Sequence, residues 1–358
     1  MKKKKQLDKK RVVSAILIVA LVLTAFLAIK TVAKNIVKTK QNETMSADLD
    51  EAMGADVSGY LQHNGQYFEQ NEDITSILVM GVDSTGKLQP KNAVPGQFGQ
   101  ADTIMLVLLD KKNKEIRMIN VVRDSMVNVT VFDKNGDYAE TKNAQICLQY
   151  AYGDGGESSC QLTANSVSEM FYNMPINYYV ALNKTAIQEI NDTIGGVTVT
   201  MSEDWSIHED GTDLNYTAGQ KITLKGKEAM LFLFGRDETS MGTNMTRVTR
   251  QKDYLNALLP QLKSAAKEDI GIITKIYSAT QGHMYSNIEL SDMIGMATDA
   301  LNGGYSFGEM QILPGQYVEG QKNDEYHIDS DAIYEMVIQN YYTPVDISEV
   351  MGTDKQNE

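Results

Sequence analysis

Three stretches decide the fold: Ser76–Val82 (SILVMGV), Thr103–Leu109 (TIMLVLL) and Glu115–Val122 (EIRMINVV). The first two are apolar apart from Ser76 and Thr103 and are of strand length, which marks strands covered on both faces. The third alternates, as a strand with one drier face does. Lys111–Lys114 is turn-like, so the second and third runs form a hairpin. Met126–Phe132 is a fourth strand, closed by the turn Asp133-Lys-Asn-Gly136.

Helical spacing takes over from Lys142, breaks at Gly153–Gly156 and resumes over Leu162–Tyr172. Ile176–Leu182 alternates as a strand and runs into a helix over Lys184–Ile194, which Gly195-Gly196 ends. Further on come a strand at Val197–Thr200 and helices at Lys225–Phe232 and from Met245 toward Lys263, the last kinked at Pro260. Helices near 266–278 and 289–301, a strand at Gln311–Leu313 and a helix at Asp329–Tyr341 complete the pattern. Strands interleaved with helices in this way predict an α/β fold of layers around a central sheet.

Residues 2–11 carry six Lys, one Arg and one Asp, a net of +6, which leaves −20 for the rest of a chain whose total is −14. Val12–Ile29 has no charge and only Ser14 and Thr24 as polar side chains. As a helix it rises about 27 Å, close to the hydrocarbon thickness of a bilayer. The expected organisation is a cytoplasmic basic tail (1–11), a single transmembrane anchor (12–33) and a polar stalk (34–73). An extracellular domain (74–345) and a polar C-terminal tail (346–358) follow. A cleaved signal peptide is the competing reading, but no A-x-A site follows the apolar run. The acidity of the domain excludes a broad nucleic-acid face.

The two cysteines, Cys147 and Cys160, fit a disulfide in an oxidising compartment, with two separate free thiols as the alternative. The four His (63, 208, 283, 327) are scattered and form no zinc pattern.

Only six of the 33 basic residues are Arg. Where Lys supplies the surface charge, an Arg tends to be kept for its bidentate fork. Arg123 ends the third strand beside Asp124, whereas Arg247 and Arg250 open a helix next to Gln251. A cation in a helix's first turn opposes the macrodipole unless an anion sits nearby. Arg247, and Lys142 at its own expected helix start, therefore point to a phosphate-type ligand. On a helical projection Val248, Leu255, Leu259 and Leu262 share the inner face, with Arg247 and Gln251 bordering it and Arg250 directed to solvent.

Asp83 follows the first strand and Asp102 precedes the second, so antiparallel neighbours would bring both carboxylates to one sheet edge. Such a pair suits Mg²⁺, which takes phosphate oxygens as further ligands. The bland readings are strand-end Asp in turns, a surface ion pair for Arg123-Asp124, and an N-cap for Asn244. No G-x-S-x-G, Cys–His pair or P-loop is present. The inventory suits a displacement at phosphorus run by charge stabilisation.

Seven segments in order resemble the LytR–CpsA–Psr family of bacterial cell-envelope proteins: ILVMGVD (77–83), ADTIMLVLLD (101–110), INVVRDSMV (119–127), KNAQICLQYAYGDGG (142–156), INDTIGGVTV (190–199), LKGKEAMLFLFGRD (224–237) and RVTRQKDYL (247–255). The resemblance covers roughly Asp73–Lys263. It implies a phosphotransferase that passes a polyprenyl-pyrophosphate-linked glycopolymer, of teichoic acid or capsular polysaccharide type, to peptidoglycan. Pyrophosphatase activity is implied when no acceptor is present. It also implies Mg²⁺ (or Mn²⁺) on Asp83 and Asp102. Arg123, Lys142, Arg236, Arg247 and Gln251 would bind phosphate, with Arg123, Asp124 and Arg247 at the catalytic centre.

The chain departs from the family pattern at Val122, usually Pro; at Asn244, usually Asp; and at Gln100-Ala101, where an Arg usually precedes the strand-edge Asp. The Asn leaves the base unassigned and keeps a second reading open, a non-catalytic module that holds polyprenyl phosphates.

Overall fold

A hairpin opens the folded part: β1 (Leu61–His63) and β2 (Gln66–Gln70) pair antiparallel across Asn64-Gly65. Both turn residues have positive φ, 49° and 74°, the conformation that two-residue hairpins require and that Asn-Gly adopts at least cost. β2 pairs on its other side with the C-terminal strand Tyr342–Val345. This corrects the expected 34–73 stalk, because the folded domain is already under way at Leu61. The computed structural model describes residues 60–346 except 89–93, 210, 236–249, 251–252, 255–256, 259, 262–263, 266–267, 270–271, 294, 297–303 and 321–324. The basic tail and the 12–33 anchor lie outside the described residues, as does the C-terminal tail after Asp346.

The next strands in order are β3 (Ile74–Val82), β4 (Ala101–Asp110), β5 (Glu115–Val121), β6 (Met126–Phe132), β7 (Tyr138–Gln145) and β8 (Tyr178–Asn183). They are followed by β9 (Val197–Thr200), β10 (Trp205–Glu209), β11 (Thr212–Tyr216), β12 (Lys221–Leu224) and β13 (Met284–Ser286). β14 (Ser306–Ile312), β15 (Gly315–Val318), β16 (Glu325–Ile328) and β17, the strand Tyr342–Val345, close the series. Six of them build the central sheet in the order β13-β8-β3-β4-β5-β14. It is mixed: β3 runs antiparallel to β4 and parallel to β8, and β5 runs antiparallel to β4 and parallel to β14.

The apolar runs Ile77–Met80 of β3 and Ile104–Leu109 of β4 follow from burial on two sides. Ile77, Val79, Met105 and Val107 face helices Lys184–Thr193, Gly226–Phe234 and Ile272–Ala279. Leu78, Met80, Leu106 and Leu108 face helices Glu157–Met170 and Ser330–Tyr341, together with Tyr150 of helix Cys147–Ala151. Each such aliphatic chain contributes about 1.5–3 kcal/mol when fully buried. The result is the expected three layers, helix on sheet on helix. The far end of the sheet is locked by a buried charge: Asp110, 0% exposed, accepts from Arg117 at 2.5 Å, from Asn71 at 3.1 Å and from the Asn113 side chain at 2.8 Å.

Three expectations change. Lys142 is not at a helix start; it lies within β7, paired opposite Val129 of β6, and the helix begins five residues later at Cys147. The tight turn after β6, where Asp133 accepts from the Asn135 and Asp137 amides, returns the chain as a second strand, which consumes the segment assigned to helix. Arg250 does not meet solvent. It is 2% exposed and shares an inward helix face with Tyr254 and Leu258, whereas Val248, Leu255, Leu259 and Leu262 lie outside the described residues. Cys147 and Cys160 are both free and buried, not joined: Cys147 begins its helix against Arg123 and Gln100, whereas Cys160 lies inside the next helix within the apolar core.

Candidate functional site at the carboxyl edge of the sheet

Four central strands, β3, β5, β8 and β14, point the same way, and β4 starts where they end. Asp83, Asp102, the Val121–Asp124 turn, Asn183-Lys184 and Leu313 therefore assemble at one end of the sheet. In sheets with parallel strands this carboxyl edge is where ligands bind.

Asp102 owes its place to a bulge. The β3–β4 register pairs Gly81 with Thr103 and Val82 with Ala101, so Asp102 is the residue skipped. Bulges re-aim side chains at sheet ends, and here the Asp102 carboxylate meets Arg123, Oδ1 lying 2.5 Å from Nη1. Arg123 Nη2 donates to Gln100 Oε1 at 2.8 Å, and lies 3.4 Å from Cys147 Sγ. Its Nε is 3.3 Å from Asp124 Oδ1, close enough for an ion pair though not aligned for a hydrogen bond. Backbone bonds fix the frame: the Cys147 amide donates to the Arg123 carbonyl, and the Asp83 and Asp102 amides both donate to the Gln100 carbonyl. Gly99 is required for this last arrangement, because a Cβ there would lie 2.6 Å from the Asp83 carbonyl oxygen.

Burial by itself would lower the Arg123 pKa, but the surrounding acidic groups Cys147, Asp102 and Asp124 outweigh it and raise it. The Cys147 thiol is pushed up to about 11 by burial, against the opposing pull of Arg123. It is thus protonated at neutral pH, and the two carboxylates carry the support of Arg123 there. A hairpin joins from β15 and β16: the Tyr326 amide donates to the Asp124 carbonyl at 3.0 Å, and the Tyr317 hydroxyl donates to Asp124 Oδ2 at 3.3 Å.

Asp83 stands at the same edge, and its Oδ1 is paired with Lys184 Nζ. Sequence reasoning missed Lys184, although the criterion was in hand. It is the first residue of a helix, where a cation opposes the dipole, just as was argued for Lys142. Lys142 itself stands with its ammonium 5.0 Å from the centroid of the Tyr152 ring and 3.8 Å from Glu140. Arg236, Arg247 and Gln251, like Asn244, lie outside the described residues.

The two carboxylates expected to hold Mg²⁺ do not fit that ion as they stand. A divalent ion needs open, negatively charged oxygens, and each of these groups is already matched by a cation, Asp83 by Lys184 and Asp102 by Arg123. Among the described residues no three His, Cys, Asp or Glu side chains come together as a metal site. The arrangement is an edge of alternating charge that can grip an anion and hold a hydroxyl near a carboxylate.

Comparison with known proteins agrees with this architecture. The model of the LytR_cpsA_psr family matches residues 24–340. The polyisoprenyl-teichoic acid–peptidoglycan teichoic acid transferase TagV of Bacillus subtilis is 27% identical over 261 residues, covering 72% of this chain and 61% of that protein. TagU of Bacillus licheniformis, a transferase of the same description, is 26% identical over 224 residues, 62% of this chain and 63% of its own length. The chain thus spans less than two thirds of either relative. The crystal structure of B. subtilis TagV superposes with a TM-score of 0.54 at 23% identity, over 75% of this chain and 97% of that one. The structure described as TagT bound to LI-WTA gives 0.50 at 20% identity, over 75% and 91%. These likenesses show a shared fold.

Proposed function

The chain belongs to the LytR–CpsA–Psr family, and from that premise we propose that it is a phosphotransferase of the cell envelope. Its donor is a polyprenyl-pyrophosphate-linked glycopolymer of teichoic acid or capsular type, and its acceptor a peptidoglycan sugar hydroxyl. The relatives' names, teichoic acid to peptidoglycan transferases, support the substrate class. The observation that carries the reading is the Arg123 fork, held between Asp102 and Gln100 at the carboxyl edge of the sheet.

In this reaction the acceptor oxygen forms a bond to the sugar-side phosphorus as the bond from that phosphorus to the bridging oxygen breaks. Polyprenyl phosphate leaves with the electron pair, and the hydroxyl proton passes to a carboxylate. Negative charge grows on the bridging oxygen and the equatorial oxygens, and fixed guanidinium donors stabilise it without reorganising. Of the two carboxylates beside Arg123, Asp124 is the more weakly held and accepts from the Tyr317 hydroxyl, which makes it the base proposed here, with Asn244 standing where the family has Asp. Arg236, Arg247, Lys142 and Gln251 are proposed as further phosphate contacts. A domain outside the cell, held by a single membrane span at 12–33, would meet both substrates.

The test is release of polyprenyl phosphate from such a donor by the full-length chain, against Arg123→Ala and Asp102→Ala. The expected outcome is release that both substitutions depress. Equal rates in all three remove the proposal. Donor lipid retained without turnover selects the family's other reading, a module that binds polyprenyl phosphates.

A further inference from the structure

We propose that Lys184 is a resident counter-cation of Asp83, occupying the charge position that a divalent metal would otherwise take at this carboxylate. Register builds the pair: β3 and β8 are parallel neighbours with Val82 opposite Asn183, so the residues that follow each strand, Asp83 and Lys184, emerge side by side. The segment after Asp83 is then stitched to the start of the helix. The Lys184 amide donates to the Ser84 carbonyl at 3.0 Å, the Thr185 hydroxyl to the Thr85 carbonyl at 3.0 Å, and the Asn183 side-chain amide to the Gly86 carbonyl at 2.5 Å. Asn183 is itself fully buried and caps the helix through the Ala186 amide at 3.0 Å. The backbone that carries Lys184 is thus fixed beside the segment after Asp83, and the ammonium is directed by its contact with Asp83.

Energetics point the same way. A cation on the first residue of a helix is opposed by the macrodipole, so Lys184 is unfavourable there until Asp83 offsets it. Its Nζ also lies 5.5 Å from the centroid of the Phe234 ring, a second favourable contact for the positive charge. An incoming divalent ion would have to displace that ammonium or sit beside it. Either costs Coulomb energy at contact distance. Asp102, the other expected ligand, is held by Arg123 at 2.5 Å.

This deepens the transfer reading, on which any role toward phosphate rests, but ion occupancy is measured apart from turnover. Mn²⁺ is titrated by electron paramagnetic resonance into the full-length wild type, Lys184→Gln, Asp83→Asn and the double variant. Removing the ammonium is expected to strengthen Mn²⁺ binding about ten-fold. The gain should vanish in the double variant, and Asp83→Asn in the wild-type background should change nothing. Wild-type binding that Asp83→Asn weakens, or an affinity unmoved by Lys184→Gln, overturns the proposal. If Lys184→Gln fails to fold, Lys184→Met serves in its place, and the Asp83→Asn comparison decides without either. Failure of the transferase reading would show in the release assay and leave these titrations untouched.

Discussion

The guanidinium carbon of Arg250 lies 4.4 Å from the centroid of the Trp205 ring, with Nε and Nη2 each donating at 2.8 Å to the carbonyls of Phe232 and Gly235. A charge that is 2% exposed is tolerable because the helix end Gly226–Phe234 presents carbonyls with no intrahelical donor, and Arg supplies the donors.

Arg250→Ala is therefore expected to cost about 3 kcal/mol of stability, from two orphaned carbonyls and the lost ring contact. Arg250→Lys should recover little, since a single ammonium cannot reproduce the planar fork. Urea denaturation midpoints check this, and a loss below about 0.5 kcal/mol, the range of ordinary surface substitutions, would contradict it.

At the carboxyl edge, Arg123→Lys tests the fork itself. Two nitrogens serve Asp102 and Gln100 at once, which Lys cannot do. The expected loss in kcat/KM is about 10²-fold, with the urea midpoint barely moved because the pair is part-exposed. Activity within a few-fold of wild type would show that only the charge matters.

The thiols offer a direct measurement. With both cysteines free and buried, a thiol-reactive dye on protein never exposed to reductant should count two thiols after denaturation and very few before. Cys147, whose pKa is pushed up to about 11, should resist alkylation at pH 8 in the folded state. A single disulfide-linked species on non-reducing peptide mapping would restore the covalent link.

Acid stability follows from Asp110. Burial pushes its pKa up, but the Asn113 amide, the Asn113 side chain, Arg117 and Asn71 together hold it below the usual carboxylate value. A depressed folded-state pKa contributes stability that is present above the unfolded value of about 3.9 and is lost as pH falls below it. Unfolding free energy should decline below about pH 4 in the wild type, and this component of the slope should be missing in Asp110→Asn. Identical slopes would discount the site.

The sheet was legible because the middles of β3 and β4, Ile77–Met80 and Ile104–Leu109, are unbroken apolar runs, a pattern with few competing explanations. The β3–β4 adjacency placed Asp83 and Asp102 correctly at one edge. What stayed hidden depended on tertiary detail. The bulge that aims Asp102 at Arg123 has no sequence mark. β7 could not be told from a helix because its residues, Tyr138–Gln145, are polar and mostly exposed, so no apolar period records the strand. The projection that sent Arg250 outward counted apolar residues only, and an Arg whose donors cap carbonyls breaks that rule. Lys184 was overlooked because its partner, Asp83, is remote in the sequence and becomes a neighbour only through the parallel pairing of β3 with β8. The β1–β2 hairpin went unread for a similar reason, since its third strand comes from the other end of the chain.

That three-stranded patch also decides where mechanical load falls. β2 leads into β3 at Ile74, and β3 then runs nine residues before reaching Asp83, a rise of about 27 Å that separates the Asp110 end of the sheet from the charged rim. Any tether upstream of Leu61 would load the β1–β2 pairing first and then the β2–β17 seam from Gln70–Tyr342 to Tyr67–Val345, with the Asn71–Asp110–Arg117 lock behind it. Tension from such an attachment would be taken up at one pole and leave the charged rim at the other without load.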